Sequence, residues 1–264
     1  MLRRVITSLI GVPLILICAY WGRVPFLLLV LVMVMTGIYE FYNLVLKFSS
    51  KTPLFLHIVG ALIFPLTFYF APDFAALFFF LFLLICYLYH LVHIEDFTPI
   101  SLGLTILAVL YISYGFSHLL LLRSLENGFW LTFYVFITVW ATDIGAYFVG
   151  INFGKHKLAP NISPKKTWEG FLGGLVASTI ASLILVACVP LAFNRVLVII
   201  TPVISLGAQL GDLFESSLKR FAKTKDSGDL LPGHGGVLDR FDSLLWAAPL
   251  TYYLLIILTR YIAL

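Results

Sequence analysis

Two pairs of acids, each pair three residues apart, flank a dense run of bases near the end of this 264-residue chain. Asp212 and Glu215 form the first pair, Asp239 and Asp242 the second. In a helix that spacing puts both members of a pair on one face. Between the pairs come Lys219, Arg220, Lys223 and Lys225, then the loop Asp226-Ser-Gly-Asp-Leu-Leu-Pro-Gly-His-Gly-Gly236; Arg240 lies inside the second pair. Glycines and a proline make this loop turn-forming and able to approach a ligand closely. Four carboxylates facing one another in a low dielectric repel strongly, and a divalent cation relieves the repulsion. Oxygen ligands without a His/Cys cluster point to Mg2+, which binds through one or two carboxylates plus substrate phosphates. Lysine and arginine suit the phosphate oxygens. Such a set equips a site for phosphoryl or nucleotidyl transfer, where catalysis is mostly positioning and charge stabilisation.

Two further segments carry chemistry. Asp143 follows an uncharged run over 127–142. That run makes a helix of roughly 24 Å at ~1.5 Å per residue, short of a bilayer core of about 30 Å. The helix must therefore continue past Asp143, and a carboxylate in or near the membrane is a functional candidate by default. In Asn161-Ile-Ser-Pro-Lys-Lys-Thr-Trp-Glu-Gly170, Ser163 suits an N-cap and Pro164 a first helical residue. A helix start with free amides attracts anions, and Lys165 and Lys166 beside it suit a polyphosphate. A basic loop that merely sets topology explains the lysines but not the Ser-Pro start or Glu169. His234, between glycines, reads as a phosphate contact or proton handler, with a plain loop residue nearly as good an account.

The elements that hold these residues must be membrane helices. Hydrophobic residues make up 61% of the chain and charged ones 11%, with mean hydropathy +1.03; soluble domains run about 45–50% and about 25%. A soluble enzyme, a disordered chain and a disulfide scaffold are excluded. Nine stretches of at least 16 residues lack Asp, Glu, Lys and Arg: 5–22, 24–39, 54–72, 74–94, 97–122, 127–142, 170–194, 196–211 and 243–259. A span needs about 20 mostly apolar residues. Runs such as Leu77 to Ile85 are continuously apolar, so helices are expected rather than a barrel. The first run, after Arg3 and Arg4, is read as a transmembrane helix rather than a signal peptide. The expected class is therefore all-α, polytopic, with about nine transmembrane helices.

Of the 17 Lys and Arg, 13 fall on the side of the N-terminus and 4 on the other. The positive-inside rule then predicts a cytoplasmic N-terminus, and cytoplasmic loops over 151–169 and 219–239. Net charge of +4 reflects that bias and implies no nucleic-acid partner. Charge is uneven along the chain. Residues 143–242 hold 18 of the 30 charges, which divides the sequence into a scaffold region, 1–126, and a catalytic region, 127–264. Glu40 is the one acid inside the helices of the scaffold, near Tyr39 and Tyr42, and is read as structural. Cys18, Cys86 and Cys188 lie in apolar runs without metal-ligand spacing and read as packing residues. Gly207 and Gly211 form a small-xxx-small pair. Small-residue packing in the seventh and eighth spans permits a homodimer without requiring one.

The stretch Ser217-Leu-Lys-Arg-Phe-Ala-Lys-Thr-Lys-Asp-Ser-Gly-Asp-Leu-Leu-Pro-Gly-His-Gly-Gly-Val-Leu-Asp-Arg-Phe-Asp242 closely resembles the signature of the phosphatidate cytidylyltransferases, or CDP-diacylglycerol synthases. Gly211-Asp-Leu-Phe-Glu215, Ser163-Pro-Lys-Lys-Thr-Trp-Glu169 and Ala141-Thr-Asp-Ile-Gly-Ala-Tyr147 are also similar to that family, so the resemblance covers about residues 135–245. It implies the reaction CTP + phosphatidic acid → CDP-diacylglycerol + pyrophosphate, dependent on Mg2+, in the cytoplasmic membrane. It also implies a metal site at Asp212 and Asp239, extended here to Asp242. Lys166, Lys219, Arg220 and Lys225 become candidates for the triphosphate or the phosphatidate head, and Asp143 for a nucleotide contact or support of the metal.

Three other readings compete. An ion-coupled secondary transporter would also place carboxylates and glycine-broken helices in the membrane, yet charge is concentrated in one part with no similar motif in the other. A CTP-dependent lipid kinase and a related CDP-lipid synthase share parts of this design. No Walker A loop or nucleophile elbow is present.

Overall fold

A computed structural model describes residues 2–47, 52–189, 194–230 and 235–262. Over the described residues each of the nine apolar runs is mostly helical, and the protein is an all-α, multi-pass membrane protein. Helices α1 (Leu2–Trp21) and α2 (Arg23–Val45) are separated by Gly22 alone, whose φ of 63° and ψ of −148° only glycine adopts without strain. Then come α3 (Leu54–Phe70) and α4 (Ala75–Val92), joined through a 3-10 turn at Pro72–Phe74. Helices α5 (Pro99–Ala108) and α6 (Tyr114–Ser124) run together through a π-turn at Val109–Ser113. The chain continues with α7 (Gly128–Phe153), α8 (Trp168–Cys188), α9 (Asn194–Phe221), the short α10 (Leu238–Phe241) and α11 (Leu244–Ile262).

Among the described residues, six helical stretches are long and apolar enough to cross a membrane: Arg23–Val45, Pro72–Val92, Pro99–Ser124, Gly128–Phe153, Trp168–Cys188 and Asn194–Phe221. Leu9–Trp21, Leu54–Phe70 and Leu244–Thr259 are apolar but shorter. As the length argument requires, α7 runs ten residues past Asp143, to Phe153. Pro13, Pro65, Pro202 and Pro249 sit inside helices, which neighbouring groups make tolerable in a membrane.

One local expectation fails. Ser163 does not cap a helix. Ser163–Thr167 is a strand, β2, paired antiparallel with β1 (Lys157–Ala159), with Lys157 opposite Thr167. Helix α8 starts only at Trp168, capped by Thr167, whose hydroxyl accepts from the Gly170 amide at 3.1 Å. Two residues could cap. Pro164 is as compatible with extended backbone as with a first helical turn, and pairing with β1 decides between them.

The chain forms two compact units. The first comprises residues 1–121 and 218–241, the second 122–217 and 242–264. In the first, Gly37 of α2 lets side chains close in: a Cβ there would lie 3.0 Å from Ile112 and 3.1 Å from Leu238. In the second, α7 and α8 press together along glycines. A Cβ on Gly145 would lie 2.7 Å from the Gly173 carbonyl, and one on Gly170 would lie 2.7 Å from that of Ala146. Tyr134 of α7 donates to the Leu197 carbonyl of α9 at 2.9 Å, and Thr142 to Ser205 at 2.8 Å. Gly170 and Gly173 of α8 thus pack against α7 within the chain.

Candidate active site

In the second unit, four acids gather where α7, α9 and the start of α11 meet. Gly211 is the local reason. A Cβ there would lie 2.9 Å from the Asp242 carbonyl, so bare glycine brings the Asp242 backbone against α9, one residue from Asp212. Asp242 is 8% exposed, and its Oδ1 accepts from the Ser243 amide at 2.7 Å. Burial, then the charges of Asp212, Glu215 and Asp143, push the Asp242 carboxyl well above its ordinary range. Asp143 is close enough to feel the charges of Asp212 and Lys166. Lys166, carried by β2, pairs with Asp212 at 2.6 Å.

Asp143, Lys166 and Asp212 open onto a cleft of about 580 Å3. Its walls include Asp143 and Gly150 of α7, Lys157, Lys165 and Lys166 of the hairpin, and Gln209 and Asp212 of α9. Three lysines thus line a cleft that two acids also line. A strand, rather than the expected helix, presents Lys165 and Lys166. The hairpin is in turn tied down by Glu169 of α8, whose carboxylate accepts from the amides of Lys155 at 3.1 Å and His156 at 3.2 Å, and from the His156 ring at 2.6 Å.

The donor set fits a divalent cation of the Mg2+ kind in one way only. Among the described residues, no three His, Cys, Asp or Glu side chains enclose a metal position. A cage made wholly by protein is therefore not built. The acids' mutual repulsion is nonetheless what a cation relieves, and Mg2+ takes one or two carboxylates with phosphate oxygens completing its shell. Asp212 and Asp242 lie in this cluster.

In the first unit stands a second cluster, formed by the loop after α9. Lys219 Nζ donates to Asp239 Oδ1 at 2.6 Å. Asp239 Oδ2 accepts from the Gly236 amide at 2.8 Å and from the Ser227 amide and hydroxyl at 2.9 and 3.0 Å. Burial alone would raise the Asp239 carboxyl, but the Lys219 ammonium and the two amides outweigh it and hold it below the usual carboxylate range. The same loop rests on Glu40 of α2. Glu40 is 1% exposed and accepts from the amides of Val237 at 2.8 Å and Leu238 at 2.9 Å and from the Ser227 hydroxyl at 3.1 Å.

The sequence-derived candidates thus sort into two groups. Asp143, Lys165, Lys166, Asp212 and Asp242 belong to the second unit's cleft and acid cluster. Lys219, in the last turn of α9, and Asp239, in α10, belong to the first unit's cluster, where both Asp239 oxygens already accept from donors. Arg220 donates to the Thr224 carbonyl at 3.3 Å, Lys225 and Arg240 are exposed, and Ser163 sits in β2 outside the cleft lining. His234 lies outside the described residues. Lys157 and Gln209 were missed. Lys157 looked like one more loop base, and Gln209 carried no charge to draw notice inside an apolar run.

Acids beside bases at a cleft among apolar helices are the groups that transfer of a phosphate-linked group calls for. The profile of the cytidylyltransferase family matches residues 2–258. The chain is 38% identical over 263 residues to the phosphatidate cytidylyltransferase of Bacillus subtilis (strain 168), covering 97% of each. It is 47% identical over 152 residues to the phosphatidate cytidylyltransferase of Staphylococcus haemolyticus (strain JCSC1435), covering 57% of this chain and 58% of that one. It is 48% identical over 152 residues to that of Staphylococcus aureus (strain COL), again covering 57% and 58%. The chain belongs to the cytidylyltransferase family.

Proposed function

We propose that this enzyme is a phosphatidate cytidylyltransferase, transferring the cytidylyl group of CTP to phosphatidic acid to give CDP-diacylglycerol and pyrophosphate. The observation that carries this reading is the cleft lined together by Lys157, Lys165, Lys166, Asp143 and Asp212. Bases there neutralise phosphate oxygens, and acids offer a place for the cation that accompanies a triphosphate.

Mg2+ would be held by Asp212 and Asp242, with Asp143 beside them, and when bound it would neutralise charge on the triphosphate. Asp239 is the third expected ligand. Its donors in the loop favour a role in holding Lys219 and the amides of Ser227 and Gly236 in place. The lysines of β1 and β2 bind and orient phosphate groups in the cleft. A phosphate oxygen of phosphatidic acid attacks the α-phosphorus of CTP. A new P–O–P bridge forms, the bond from the α-phosphorus to the bridging oxygen breaks, and pyrophosphate leaves with that electron pair. The attacking oxygen is already anionic at neutral pH, so no strong general base is required. The acyl chains remain among lipid while the head group enters the cleft.

Turnover of CTP and phosphatidic acid by the purified chain with Mg2+ tests the reading. CDP-diacylglycerol and pyrophosphate are expected. A phosphorylated alcohol with released CDP would instead identify a lipid kinase, and no turnover would restore the transporter.

The topology that goes with this function has nine spans, a cytoplasmic N-terminus, and loops 151–169 and 219–239 on the cytoplasmic side. The Lys and Arg bias supports it. Asp229 is exposed. In a background without the native cysteines, Asp229→Cys should resist an impermeant thiol reagent in intact cells and react once the membrane is opened. Labelling from outside would overturn the orientation.

A further inference from the structure

The helices before residue 127 read as scaffold, and Glu40 as a structural acid within them. Its surroundings say otherwise. Glu40 sits in α2 with both carboxylate oxygens turned to one segment more than 180 residues away in sequence. Oε1 accepts from the Val237 amide at 2.8 Å, and Oε2 from the Leu238 amide at 2.9 Å and the Ser227 hydroxyl at 3.1 Å. These donors bracket the glycine-rich loop at both ends. The loop backbone is also pressed onto the carboxylate. A Cβ on Gly228 would lie 3.0 Å from Glu40 Cγ, and one on Gly236 would lie 2.6 Å from Glu40 Cδ. Ser227 then passes the contact on, since its hydroxyl lies 3.0 Å from Asp239 Oδ2, whose partner oxygen holds Lys219 at 2.6 Å.

We propose that Glu40 is the positioning residue of the two segments Ser227–Gly228 and Gly236–Asp239: from α2 it fixes Ser227 and the amides of Val237 and Leu238, and through them the Asp239–Lys219 pair. It touches no substrate. Its effect on turnover comes from the geometry of the loop. A carboxylate is required because each oxygen faces a backbone amide, Val237 on Oε1 and Leu238 on Oε2, and an amide can only donate. Glutamine, of the same size, has one acceptor oxygen and one amino group, so whichever way it turns it sets a donor against a donor. The inference rests on the reading that the loop serves cytidylyl transfer, and the experiment separates the two.

The test uses the full chain in detergent with lipid substrate. Initial rates are measured per folded molecule for Glu40→Gln, Glu40→Asp, Ser227→Ala and Asp239→Asn, together with hydrogen exchange of the Val237 and Leu238 amides. Groups that orient a functional carboxylate from behind are worth about 10- to 100-fold in activity. Glu40→Gln should therefore lower kcat by about that factor, with a smaller change in KM for CTP and faster exchange at the two amides. Glu40→Asp should recover part of the loss. Glu40→Gln and Ser227→Ala together should lose less than the product of their separate effects, because both act through one contact. A merely structural glutamate would reduce the yield of folded protein and leave kcat per folded molecule unchanged. Should Glu40→Gln not fold, Ser227→Ala decides: wild-type kcat there overturns the inference. Wild-type kcat in Glu40→Gln with Asp239→Asn inactive overturns this inference alone. Wild-type kcat in Asp239→Asn overturns the catalytic reading of the loop, and the inference with it.

Discussion

Asp212→Asn should abolish transfer of the cytidylyl group while leaving an assembled protein. Asp212 is the acid of the cleft that pairs with a base of β2, Lys166, at 2.6 Å, and that also adds its charge to those felt by Asp143 and Asp242. Asparagine keeps the shape and loses the charge. A cation at a phosphate supplies several kcal/mol of charge stabilisation, and ~1.4 kcal/mol is a factor of ten in rate. The expected loss is therefore about a thousand-fold or more. Stability should barely change. The Asp212 and Lys166 side chains are 34% and 25% exposed, and ion pairs that water reaches contribute about 0–1 kcal/mol. The measurement is turnover beside thermal unfolding in the same detergent. Wild-type turnover, or collapse of the fold, would remove Asp212 from the proposed centre.

The contrast between Asp212 and Asp239 shows what the sequence made legible. The apolar runs fixed the helices, because lipid leaves the backbone no other partner. The length argument at Asp143 found that α7 continues. The i, i+3 spacings single out Asp212, Glu215, Asp239 and Asp242 beside a run of bases. They did not foretell how those acids divide, with Asp212, Glu215 and Asp242 felt together beside Asp143 in one unit and Asp239 engaged by Lys219 in the other. Spacing along a helix says which face a residue shares. It says nothing about a loop that folds back to claim the carboxylate with its own amides. Ser163 failed for a related reason: capping propensity is local, whereas the pairing of β2 with β1 is set by contacts across the turn. Glu40 was visible as a lone acid in a greasy helix. Its partners lay too far along the chain for periodicity to reveal them.

The buried pair Lys219–Asp239 supports the second large effect. The side chains are 11% and 6% exposed, so water screens neither. Removing one partner from such a pair costs about 3–5 kcal/mol because the other charge is left uncompensated, whereas replacing both with neutral groups of similar size is often close to neutral. Lys219→Met should accordingly destabilise the protein more than Lys219→Met with Asp239→Asn, as read by thermal unfolding. Activity should not follow the same course. If the pair served only to hold the loop together, the double variant, regaining stability, would regain turnover. On the proposed reading the loop must present a charged pair in fixed geometry, so the double variant stays inactive while its melting temperature recovers. Recovery of both would reduce the pair to a structural clasp. Recovery of stability alone assigns the charges to the reaction and explains why an enzyme would keep an ion pair where apolar side chains would serve the fold as well.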